Sequence, residues 1–142
     1  MLKGIHPILT GRLLAELDRL GHGDVLGVVD RNFPAHRYGV PVVELRDSDI
    51  AAAVEAILTV YPLDSFVPHP VERMEVDDRP DEINGPTAAF LALAAAAEGR
   101  DIEFASLERQ SFYERAASAM VMVQTGETVG YSCYLLKKGV VG

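Results

Sequence analysis

The run Gly21-His22-Gly23-Asp24-Val25-Leu26-Gly27-Val28-Val29-Asp30 passes from a flexible polar loop into five residues without a polar side chain and ends on a carboxylate. An uninterrupted apolar stretch this short suits a strand covered on both faces, as in parallel sheets. Upstream, Thr10 can cap a helix in which Leu13, Leu14, Leu17 and Leu20 share one face, and Gly21 occupies the C′ position where helices favour glycine. Downstream, residues 31–39 hold Asn32, Pro34 and Gly39 and read as a loop. Val40 to Leu45 is a second strand, which Pro41 confines to an edge or a late start.

Further out, Ser48 is the expected cap of a helix reaching about Tyr61, with Ile50, Val54, Ile57 and Leu58 inward. Five of the eight prolines lie between residues 62 and 86, so that stretch reads as loop, with a strand over Val71 to Val76. An alanine-rich helix over 87–98 is closed by Gly99, followed by a strand over 102–105 and a helix over about 110–119. Met120 to Val123 and Tyr134 to Leu136 read as strands flanking a hairpin turn at Thr125-Gly126-Glu127. Helices alternating with strands predict one layered α/β domain over residues 1–142 with a largely parallel central sheet. No internal repeat or long linker divides the chain.

Hydrophobic residues make up 49% of the 142 residues and charged residues 24%, the balance of a globular protein. The net charge of -8 argues against nucleic-acid and anionic-membrane partners, both of which need a basic face. Cys133 is the single cysteine, which excludes an internal disulfide or a multi-cysteine zinc site and favours a reducing compartment. The segment Met1 to Pro7 has no long apolar core and no small-residue cleavage site, so no signal peptide is expected. The longest oily stretch, Ala88 to Ala97, is too short for a bilayer core of about 30 Å. A cytoplasmic location follows as the expectation.

Candidate chemistry sits in the loops. Glycines on both sides of His22 leave its imidazole accessible, and histidine can give and take protons near neutrality. The plainer reading, which spacing alone favours, is a loop residue bonding the backbone. Asp30 ends the buried strand, where ligands of open α/β sheets gather; it can accept from the hydroxyls of a ligand, or it can cap the turn at Asn32 and Phe33. His22, Asp24, Asp30, His36 and Cys133 include no pair with familiar zinc spacing, so no metal is expected. There is no Gly-x-Ser-x-Gly elbow and no glycine-rich phosphate loop. Arg109 could reach a polyol or be a surface arginine, and Tyr131 could offer a hydroxyl or a ring face. Phe112 and Ala116 share a helix face suited to the core, Glu114 and Arg115 read as a solvated pair, and His69 lies in a loop between Pro68 and Pro70.

Several segments stand in a distinctive order: Met1-Leu2-Lys3-Gly4-Ile5 with Pro7, Gly21-His22-Gly23-Asp24, and Asp30 with Asn32-Phe33-Pro34-Ala35-His36. Leu63-Asp64-Ser65, Phe112-Tyr113-Glu114-Arg115-Ala116, Thr125-Gly126-Glu127 and Leu135-Leu136-Lys137-Lys138-Gly139-Val140 complete the set. Through them, nearly end to end, the chain resembles the RbsD/FucU family of sugar pyranases and mutarotases, and most of all its L-fucose branch. The resemblance implies an RbsD-like α/β fold, a ring of subunits that is commonly a decamer, and a monosaccharide held between neighbours. It implies that His22 is the proton donor and that Asp30 binds sugar. The position of Arg109 is arginine in the fucose branch and histidine in the ribose branch. Tyr131-Ser132-Cys133 stands where the family has Tyr-(Gly/Ala)-Asn, so substrate binding by Tyr131, Ser132 and Cys133 is expected, with a thiol in place of an amide.

The implied reaction opens a hemiacetal to the free aldehyde and closes it on the other face. It needs one proton delivered to the ring oxygen and one removed from the anomeric hydroxyl, and no cofactor. Alternatives are a ribose-type pyranase and a non-catalytic sugar-binding or transport-accessory protein. With residues 24–29 extended, His22 and Asp30 lie at opposite ends of a strand roughly 20 Å long. A single monosaccharide cannot touch both, so a site using both is expected to draw them from neighbouring chains.

Overall fold

In the computed structural model, which describes residues 1–142, the strands are β1 (Val25–Val29), β2 (Val42–Leu45), β3 (Val71–Met74), β4 (Phe104–Leu107), β5 (Ala119–Thr125) and β6 (Tyr134–Lys137). They form one sheet of order β2-β5-β1-β6-β3-β4. β1 is buried at all five positions, as its apolar run predicts. It pairs parallel with β5 and antiparallel with β6. β2 runs parallel to β5, β3 runs parallel to β4, and β3 runs antiparallel to β6. Thus β6 alone runs against the rest, and the sheet is largely parallel.

Side chains of β1 alternate between two apolar clusters. Leu26 and Val28 pack with Leu13 and Leu17 of α1 (Gly11–Arg19), Val54 and Ile57 of α2 (Ile50–Leu58), and Phe90 of α3 (Gly85–Glu98). Val25 and Val29 turn to the other face, with Met122, Leu135 and Phe112 of α4 (Arg109–Arg115). This gives the layered α/β architecture. No helix is long and apolar enough to cross a membrane.

The helix ends are set by specific contacts. Thr10 caps α1, its hydroxyl accepting the Leu13 N–H at 3.2 Å. Gly21 is not left-handed. Instead the Lys138 ammonium caps the carbonyls of Leu17 and Leu20, and Gly23 takes the left-handed turn at φ +87°. Asp49 rather than Ser48 caps α2, accepting the Ala52 N–H at 2.8 Å. Gly99 closes α3 at φ +65°, as expected. The expected helix over 110–119 is shorter: α4 ends at Arg115, and Ala116–Ser118 form a 3-10 turn into β5. The fourth strand begins two residues later than expected, at Phe104, and β2 begins at Val42, after Pro41.

The larger correction concerns Thr125-Gly126-Glu127. β5 and β6 are not hairpin partners, because β1 lies between them. A strand buried on both faces gains most when both its edges are paired as well, and this arrangement supplies both partners. The three residues instead tie the end of β5 to its neighbours. The Thr125 hydroxyl donates to the Val29 carbonyl at 2.9 Å, the Gly126 N–H donates to the Ser48 carbonyl at 2.7 Å, and a Glu127 carboxylate oxygen accepts the Ile50 N–H at 3.2 Å. At Gly126 a Cβ would collide with the Arg46 carbonyl, a backbone atom that no rotamer change can move. Gly126→Ala is therefore expected to lower stability by about 1–3 kcal/mol in urea unfolding. A midpoint unchanged from the parent would contradict this packing.

Candidate functional site

The topology sorts the chemistry-bearing residues onto two rims of the sheet. At one rim lie the carboxyl ends of β1, β3, β4 and β5 with the start of β6; at the other lie the start of β1 and the end of β6.

On the first rim Asp30 is 5% exposed and holds two chain segments together. Its Oδ1 accepts the N–H groups of Asn32 at 3.0 Å and Phe33 at 3.1 Å. Its Oδ2 accepts the Ser132 N–H at 3.3 Å and the Cys133 thiol at 3.5 Å. The turn-capping reading of Asp30 is thus present in full. Burial pushes its carboxyl above the usual aspartate range, against the lowering effect of those hydrogen bonds.

Beside Asp30 lies a cleft of about 160 Å³ whose lining includes Asp30, Asn32, Phe33, Arg109, Tyr113, Tyr131 and Cys133. Its apolar wall is a stack in which Phe33 lies 5.5 Å from the Tyr113 ring and 5.9 Å from the Tyr38 ring. The Arg109 guanidinium lies 5.8 Å from the centre of the Tyr113 ring, within cation–π range. Asp78 accepts the Arg109 N–H at 2.8 Å, fixing the start of α4, and Asp77 accepts the Tyr131 hydroxyl. That bond raises the Tyr131 phenol above its ordinary range and lowers the Asp77 carboxyl. Asp77, Asp78 and Tyr131 all have left-handed backbones, with φ of 49°, 56° and 62°. Three such non-glycine residues meeting at one place mark stored backbone strain, which concentrates at functional sites.

Asp30, Arg109, Tyr131 and Cys133 are therefore brought together. Ser132 is not an open ligand group: it is fully buried, and its hydroxyl accepts from the Asn84 amide at 3.3 Å. The Cys133 side chain borders the cleft but is only 1% exposed, and burial pushes its thiol well up, so it stays protonated. A carboxylate, a guanidinium and a phenol around an aromatic wall offer both donors and acceptors to a polyol. The volume is below the 300–1,000 Å³ of drug-sized pockets and suits one small polar molecule. A larger cleft of about 350 Å³ at the ends of β2 and β5 has no hydrophobic lining. Its arginines are already engaged, Arg31 with the Gly126 carbonyl and Arg46 with Glu44.

His22 stands on the opposite rim. Its loop is closed by Asp24, which accepts the Gly21 N–H at 2.8 Å, and by the Gly23 N–H donating to the Lys138 carbonyl at 2.9 Å. Its imidazole meets Asp64 at 3.2 Å and the Phe66 ring at 5.3 Å between centroids, and Phe66 is 75% exposed. One chain therefore does not bring His22 to Asp30. No three His, Cys, Asp or Glu side chains converge as a metal-binding group. Arg115 pairs with Glu72 of β3 at 2.6 Å rather than standing as a solvated partner of Glu114. His69 is exposed, as expected.

The linkage sign for Asp30 follows from its raised carboxyl. The folded protein holds this proton more tightly than the unfolded chain does, so stability contributed by the neutral form is lost as pH rises from about the ordinary value of 3.8. Asp30→Asn carries no such charge. The unfolding free energy of the parent minus that of Asp30→Asn is expected to fall as pH rises from 4 to 6. A difference that grows with pH would contradict the assignment.

The sequence profile of the RbsD/FucU transport protein family matches residues 3–141. The L-fucose mutarotase of Glaesserella parasuis is 36% identical over 140 residues, covering 99% of this chain and 96% of that protein. The crystal structure of FucU from Bifidobacterium longum superposes with a TM-score of 0.91 at 35% identity, covering 99% of this chain and all of the other. The fucose mutarotase of Streptococcus pneumoniae in complex with L-fucose gives a TM-score of 0.90 at 32% identity over 99% of this chain and all of that one. With the family profile and these relatives matching from one end of the chain to the other, the chain belongs to the RbsD/FucU family.

Proposed function

We propose that this protein is a mutarotase that interconverts the α and β anomers of L-fucose, or of a sugar sharing its hydroxyl pattern, by acid–base catalysis without a cofactor. The observation that carries the reading is the meeting of Asp30, Arg109 and Tyr131, from three separate segments, around one small cleft. The L-fucose mutarotase relatives and the L-fucose complex of the Streptococcus pneumoniae protein support the substrate.

In this reading Arg109 and Tyr131 hold the sugar hydroxyls. Asp30 acts as an acceptor and also sets the shape of the cleft, since its internal bonds fix both flanking segments. His22, on the far rim, is the proton donor to a sugar bound by a neighbouring copy. The working site then lies between subunits of a homo-oligomer, a decameric ring in the family's usual arrangement. The single buried thiol fits a reducing cytosol. A thiol at position 133 gives Asp30 a weaker donor than an amide would. A hydrogen bond weakened there costs at most about 0.5–1.5 kcal/mol, roughly two- to thirteenfold in an equilibrium constant, and reaches the sugar only through Asp30.

Opening the ring is slow but already proceeds in water, so acid–base help of about 10²–10⁴-fold suffices. Saturation-transfer NMR on equilibrated L-fucose reads the activity directly. The parent is expected to pass magnetisation between the α and β anomeric protons, and His22→Ala to lose nearly all of that transfer while keeping its fold. Line broadening without transfer in the parent would make the protein a sugar binder and overturn the enzymatic reading.

A further inference from the structure

His22 and Asp64 are 42 residues apart, yet the imidazole Nε2 lies 3.2 Å from the Asp64 Oδ1. The end of β6 brings them together. The Lys138 carbonyl accepts the Gly23 N–H at 2.9 Å and the Lys137 carbonyl accepts the Asp64 N–H at 3.0 Å, so both loops hang from adjacent residues of one strand end. Gly139 permits the close approach, for a Cβ there would lie 2.6 Å from the Leu63 carbonyl oxygen.

The two partners differ in setting. The Asp64 side chain is 3% exposed and that of His22 is 49% exposed. The Asp64 oxygen facing His22 also accepts the Phe66 N–H at 3.0 Å, and the Asp64 carbonyl accepts from Arg100 at 3.3 Å. Burial pushes the Asp64 carboxyl up, but its bonds to Phe66 and His22 outweigh burial and hold it below the usual range. It is ionised at neutral pH and can only accept. A nitrogen facing an acceptor must carry a proton. In the neutral ring the proton is then on Nε2 and the lone pair on Nδ1.

We propose that Asp64 is a positioning residue that locks neutral His22 as its Nε2–H tautomer, making Nδ1 the atom that exchanges a proton with the sugar. This rests on the reading of His22 as the proton donor. On ring opening, the bond from the anomeric carbon to the ring oxygen breaks, and its electron pair goes to that oxygen, which takes the proton from Nδ1 of the imidazolium. The anomeric hydroxyl loses its proton to water as the aldehyde forms. Nδ1 is left with its lone pair, ready to take the proton back when the ring closes on the other face. The Asp64–Nε2 bond persists throughout.

Two-bond ¹H–¹⁵N correlation spectra of the whole protein, recorded where the imidazole is neutral, read the tautomer without reference to activity. The parent is expected to show a protonated Nε2 and an unprotonated Nδ1 at His22, and Asp64→Ala a mixture. In anomer exchange, Asp64→Ala is expected to lose roughly 10- to 100-fold in kcat with KM within about twofold. Asp64→Asn keeps an oxygen for both N–H groups and is expected to retain the tautomer and lose less. A parent that exchanges anomers but carries the proton on Nδ1 overturns the Asp64 assignment alone, and so does an Asp64→Ala variant within twofold of the parent. A parent without exchange overturns the mutarotase reading itself.

Discussion

Strand β1 has neither an exposed face nor a free edge. Apolar clusters cover both of its faces, and β5 and β6 pair with its two edges. The residues at its two ends, His22 in the entering loop and Asp30 at the exit, are therefore held on opposite rims of the sheet. The proposal that a working site spans two chains follows from that separation. A five-residue strand between them is rigid, and at about 3.3 Å per residue it keeps them too far apart for one sugar.

Each rim is built by short polar ties rather than by regular elements. Asp30 joins the loop after β1 to the segment entering β6, while Asp77 and Asp78 fix Tyr131 and Arg109. On the other rim, Lys137 and Lys138 hold the His22 and Asp64 loops side by side. In the proposed mechanism, such ties position groups that orient hydroxyls and move protons. The absence of elaborate catalytic motifs is consistent with a reaction that water performs slowly unaided.

Much of this was legible in the sequence, and for identifiable reasons. Burial on both faces leaves a continuous apolar run, so β1 could be read directly, as could the capping roles of Thr10 and Gly99. The hairpin expectation at Thr125-Gly126-Glu127 failed because local pattern shows where strands begin and end, not which strand inserts between them. Ser48 and Asp49 are adjacent residues of similar capping strength, and only the Ala52 N–H chooses between them. Gly21 had the right place for a left-handed cap, but the distant Lys138 ammonium filled that need.

Asp30, Arg109, Tyr131 and Cys133, which line one cleft, were expected as site residues from their order in the chain. Asp77, Asp78, Asn84 and the role of Asp64 were not, because each acts on a partner 31 to 54 residues away. The acidic pair before Arg79-Pro80 was the one available hint of a strained turn. The central claim, that a working site joins the His22 rim of one chain to the Asp30 rim of another, is tested most directly by mixing inactive variants. His22→Ala and Arg109→Ala are each unfolded, combined, refolded together and assayed for anomer exchange. Recovery of activity in the mixture, absent from either variant refolded alone, is the predicted result. A mixture as inactive as its components, though co-assembled, would contradict the account.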